Sequence, residues 1–123
     1  MPTTPRLARS DAEEALGPLF SGAAMDDVRL MLSEAVTYSV EHGADRDIEL
    51  RISADHRAVR IEVASWGPAL DRSAPPSRDG PSGWGLYVLD HLAERWSVVP
   101  GEPNVVWFEV PRPSGRAADE ATG

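Results

Sequence analysis

Glu34 and Tyr38 stand four residues apart in the stretch LSEAVTYSVEHG, residues 32–43. Side chains at i and i+4 lie one above the other on a helix, so a carboxylate and a phenol share one face, with His42 a turn further on. A glutamate beside a face that packs on a sheet is partly desolvated and its pKa rises, as a general base requires. In most helices the same residue is only a solvated carboxylate. His42 is placed to interact favourably with the negative end of the helix dipole. Neither His56 nor His91 stands at metal-ligand spacing from it.

The segment SGWGL, residues 82–86, has a different chemistry. Two glycines at a helix N-terminus, Gly83 and Gly85, leave backbone N–H groups uncovered where a phosphate can approach. The alternative is that both merely serve the turn out of a long loop. Trp66, ahead of Gly67 and Pro68 at a strand end, is either core packing or the wall of a pocket.

The elements that must position these residues follow from hydrophobic periodicity. Ser10, followed by Asp11, Glu13 and Glu14, reads as an N-cap with acids in the first turn of a short helix that Gly17 and Pro18 stop. A second helix begins near Met25 and ends at Gly43; Val28, Leu32, Ala35, Val36, Ser39 and Val40 form its packing face. Ile48, Leu50 and Ile52, then Val59, Ile61 and Val63, alternate with polar residues about Asp55 and His56, the signature of a β-hairpin with one buried face. Residues 67–83 have no periodicity and read as a loop, flexible over about residues 71–82. Leu86, Leu89, Leu92 and Ala93 mark a third helix, and WSVVP and NVVWFEV two strands joined by a turn at residues 101–103. The expected architecture is α+β, a two-layer sandwich with helices on one face of a mixed, largely antiparallel sheet. It occupies residues 10–111, between flexible tails at 1–9 and 112–123.

At 123 residues the chain suffices for one core. The absence of cysteine excludes disulfides, thiolate catalysis and cysteine-bound zinc, and the absence of lysine excludes Schiff-base chemistry and a P-loop lysine. The 12 basic residues, all arginine, against 20 acidic ones give a net charge of -8, which disfavours nucleic acid as a partner. Neither a signal-peptide pattern nor a run of membrane-spanning length is present, so a cytoplasmic protein without membrane association is expected.

Taken together, LSEAVTYSVEHG, the hairpin ending IEVASWGPAL, the loop, GWGL and the final VVWFEV resemble the GHKL ATPase family. This is the Bergerat fold of histidine-kinase catalytic domains. Within it the chain is similar to the small anti-sigma-factor serine kinases of actinobacteria. The resemblance implies that Glu34 holds the general-base place and that Tyr38 replaces a magnesium-binding asparagine. It also puts Ser65 where an adenine-binding aspartate belongs, Gly67 and Ala69 at two glycine places, and Val105 at that of an adenine-assisting threonine. Gly83 and Gly85 match the phosphate-loop glycines.

A neutral phenol is a poor magnesium ligand, since that ion prefers compact oxygen donors in octahedral array. Losing a charge-assisted hydrogen bond of ~1.5–3 kcal/mol at adenine weakens binding by roughly ten- to a hundredfold. The expectation is a degenerate, pseudokinase-like regulator without cofactor or metal, which docks on a sigma factor or a STAS-domain anti-anti-sigma protein and forms a homodimer. The alternative is an active serine kinase that uses magnesium-ATP, with Glu34 positioning the serine hydroxyl of a STAS partner. A third reading is a pocket reshaped for another small ligand, with Trp66 and Tyr38 as walls.

Overall fold

In a computed structural model of the chain, residues 3–42, 47–67 and 81–112 are described, apart from the side chains of residues 42 and 81–83. The elements are α1 (Pro5–Leu16), α2 (Gly22–His42), β1 (Ile48–Ala54), β2 (Ala58–Ser65), α3 (Pro81–Leu92), β3 (Arg95–Val99) and β4 (Asn104–Pro111). Gly43, Ala69, residues 71–80 of the expected loop and residues 113–123 of the expected C-terminal tail lie outside the described residues, whereas residues 81–83, expected at the end of that loop, form the first turn of α3.

The first helix starts earlier than its acidic stretch indicates. Thr4 is the N-cap, its hydroxyl accepting from the Leu7 N–H at 3.4 Å, and Pro5 occupies the first turn. Proline suits that place because its missing N–H would have no helical partner there. Ser10, expected as the cap, is therefore an exposed residue within the helix, and residues 5–9, expected in a tail, form its first turns. Ala8, Ala12 and Leu16 recur every four residues and are buried. Ahead of the helix, Thr3 exchanges backbone hydrogen bonds with Ile48, of 2.7 and 2.8 Å, on the outer edge of β1.

Helix α2 begins at Gly22 rather than near Met25. Gly22 has a φ of 58°, a left-handed conformation that residues with a side chain rarely adopt. Between β1 and β2, the Asp55 carboxylate accepts from the N–H groups of Arg57, at 2.7 Å, and Ala58, at 2.8 Å. That side-chain-to-backbone pairing fixes the tight turn and so the register of the hairpin.

Among the described residues the four strands run in the order β1-β2-β4-β3 and each pairing is antiparallel, which fits the expected two-layer α+β sandwich on a largely antiparallel sheet. Alternation sends Ile48, Val59, Ile61, Val63, Val98, Val106, Phe108 and Val110 to the helical side, where they are buried with Val28, Leu32, Ala35, Val36, Leu86 and Leu89. The opposite face carries charge. Ser53, Arg60, Glu109 and Arg95 lie in register across all four strands. Glu109, 7 % exposed, accepts from Arg60 at 3.0 Å and from the Arg95 Nε at 2.9 Å, and Arg60 also pairs with Glu62 and lies 3.9 Å above the Trp107 ring. No helix of the described residues is long and apolar enough to cross a membrane.

Candidate functional site

The chemistry-bearing residues of α2 meet the glycine helix α3. Both helices pack on the same side of the sheet, and Gly85 lies where they approach. A Cβ built there would stand 3.3 Å from the Glu34 carbonyl oxygen, and 3.7 Å from both the Glu34 Oε1 and the Tyr38 Cβ. The missing side chain is what lets the helix axes come this close. Gly83 is the third residue of the same helix.

Glu34 is half-buried. Burial raises its carboxyl above the usual range; a hydrogen bond from the Trp84 side chain opposes that rise, and the nearby charge of Glu41 adds to it. Trp84 is 42 % exposed and stacks on Tyr87, with ring centres 5.5 Å apart, and Tyr87 in turn meets His91 at 4.0 Å. Nothing in the sequence pattern singled out the Trp84 contact, because it joins residues fifty positions apart on different helices.

Tyr38 is 4 % exposed and belongs to the hydrophobic core. Beside it Ser39 is fully buried, its hydroxyl donating to the Ala35 carbonyl at 2.9 Å. His56 is exposed in the hairpin turn, and the exposed His91 has its Nδ1 3.1 Å from the Tyr87 carbonyl oxygen. Among the described residues no three His, Asp or Glu side chains are grouped to hold a metal ion.

Ser65 ends β2 on the helical side of the sheet, paired with Ile48 on one side and Asn104 on the other. It is fully buried, and its hydroxyl has no hydrogen-bond partner among the described residues. Val105, expected beside it, points the other way, since it pairs with Ala64 and Val99 on the outer face. The β4 residue that shares the Ser65 side is Asn104, fully buried, whose Oδ1 accepts from the Gly101 N–H at 3.0 Å. Counting back in twos from Phe108 and Val106 identifies it from sequence. Gly67 is exposed just past the strand, and Trp66 is 40 % exposed, so it is not core packing. Two surface hollows, of about 480 and 440 Å³, lie away from these residues, one beside Arg57, Arg60 and Arg95 and the other between α1 and β1.

The profile of the Histidine kinase-like ATPase domain matches residues 2–109. No curated protein gives a significant match. Among solved structures, the chain is similar to the histidine kinase domain of the Erythrobacter litoralis EL346 blue-light activated histidine kinase, with a TM-score of 0.56 and 19% identity over 72% of this chain and 45% of that one. It is also similar to a second structure of the same Erythrobacter litoralis kinase, with a TM-score of 0.57 and 20% identity over 76% of this chain and 32% of that one. The chain thus spans less than half the length of either, and at this identity the likeness is one of fold.

Proposed function

Because the chain belongs to the Histidine kinase-like ATPase domain family, we propose that it is a regulatory member that acts by docking on a protein, with ATP binding lost or strongly weakened. The observation that carries this reading is Tyr38. It holds the place that the sequence resemblance gives to a magnesium-binding asparagine, and it is packed into the core where α2 meets Gly85. A buried phenol offers magnesium neither the geometry nor the donor strength of an amide oxygen. On this reading magnesium-ATP does not fit the residues present. Ser65, in the adenine place, brings a short uncharged hydroxyl where a carboxylate would receive the adenine amino group. A sigma factor or a STAS-domain protein is the partner class the resemblance implies, a homodimer the assembly, and the cytoplasm the location. Titration calorimetry with magnesium-ATP tests the reading: no measurable heat is expected, and micromolar affinity would overturn it.

One observation favours a rival, an active serine kinase. Glu34 is half-buried with its carboxyl raised, as a general base would be. Incubation with a STAS-domain partner and radiolabelled ATP separates the two, since transfer abolished by Glu34→Gln establishes the kinase and absence of transfer supports the docking protein.

A further inference from the structure

Asp27, Glu34 and Glu41 are spaced by seven residues on α2. Seven residues are two helical turns, so the three carboxylates form a row at intervals of about 10 Å. Leu30 stands in the same row, 42 % exposed. Across the α2–α3 contact runs a second row, Trp84, Tyr87 and His91, at the i, i+3, i+7 spacing of one helix face, with Trp84 joined to Glu34 by its hydrogen bond.

Acids at helical repeat beside exposed apolar and aromatic surface form a surface complementary to one kind of object. We propose that these two rows form the docking site for a basic amphipathic helix of a partner protein, with arginine or lysine at seven-residue spacing facing Asp27, Glu34 and Glu41, and apolar side chains against Leu30 and Trp84.

Charge complementarity selects the occupant. Asp27 and Glu41 are exposed, and the whole chain carries -8, so an acidic or neutral helix would bring like charge to the row or leave it unneutralised. Glu34 and Glu41 already repel one another, and a cation between them relieves that repulsion. The exposed Trp84 indole offers the same cation a π face, to which guanidinium groups bind well. The proposal deepens the protein-docking reading and rests on it.

The test uses the full chain and a synthetic helical peptide with arginine at three positions seven apart and leucines between, against a control with glutamate for arginine. The readout is the indole N–H signal of Trp84 in a nitrogen-proton correlation spectrum, assigned with Trp84→Phe. The arginine peptide is expected to shift that signal saturably, the glutamate peptide to leave it in place, and added salt to weaken the binding. The double variant Asp27→Asn with Glu41→Gln alters only exposed side chains and is expected to weaken the arginine peptide about tenfold. A Trp84 signal that does not move, or equal affinity in the double variant, overturns the proposal. Micromolar binding of magnesium-ATP would instead sink the nucleotide side of the proposed function and leave this surface standing.

Discussion

Gly85 of α3 stands against Tyr38 of α2 so closely that a β-carbon at position 85 would lie 3.7 Å from that of the tyrosine, and 3.3 Å from the Glu34 carbonyl oxygen. The nearer atom is backbone and cannot turn aside. Alanine normally stabilises a helix interior by about 1 kcal/mol over glycine. Gly85→Ala is expected to forfeit that gain, and Gly85→Val to destabilise by about 1–3 kcal/mol as the helices part. Urea denaturation of both variants measures it.

Truncating Tyr38 removes a buried aromatic ring from the core. Tyr38→Ala is expected to cost roughly 3–5 kcal/mol in chemical denaturation.

Restoring nucleotide binding should require two changes. Tyr38→Asn supplies an amide oxygen but not the adenine contact, and Ser65→Asp supplies the carboxylate but not the metal ligand. Calorimetry is expected to detect magnesium-ATP only in the double variant; binding by either single variant would show that one of these residues alone closes the site.

Ser65 tests the sign of a buried polar group. Its hydroxyl is fully buried without a partner among the described residues, and an unsatisfied group costs about 1–3 kcal/mol relative to a satisfied one. Ser65→Ala is therefore expected to raise stability, by about 1 kcal/mol. A loss of stability in thermal or urea unfolding would mean that the hydroxyl has a favourable role in the folded chain.

Acid and base act on opposite sides of the carboxylate range. Burial would raise the Glu109 carboxyl, but hydrogen bonds from Arg95 and Arg60 outweigh it and hold the group below its ordinary 4.5. The folded state then binds that proton less tightly than the unfolded chain, so the contribution is present above 4.5 and lost as pH falls through the folded value. Backbone hydrogen bonds from Ala58 and Arg57 lower Asp55 in the same sense. Glu34 runs the other way: burial raises it, so its protonated form favours folding, and stability declines as pH rises from 4.5 through the raised value. Unfolding free energies across this range should show Glu109→Gln flattening the acid limb and Glu34→Gln the upper one.

Much of this arrangement was legible in the chain, and the parts that were not share a cause. The hairpin about Asp55 and the closing strands follow from strict alternation, which one buried face imposes. Helix α1 extends further back than its acids suggest, because those after Ser10 imitate a first turn while the cap that forms, Thr4 with Pro5, lies in a stretch whose composition resembles a tail. The family pattern points to Val105, whereas alternation puts Asn104 on the Ser65 side of the sheet. The contact of Trp84 with Glu34 and the burial of Tyr38 depend on how two helices cross, which no local pattern encodes.

The Arg60–Glu109–Arg95 row reaches beyond its own acid sensitivity. Three strands meet at one carboxylate. A slip of β4 by one residue would turn Glu109 into the oily interior and bring Phe108 out among arginines, since successive side chains alternate between faces. Such mispaired arrangements are penalised twice over, so the charged side of the sheet acts as a proofreading device for strand alignment while the chain folds.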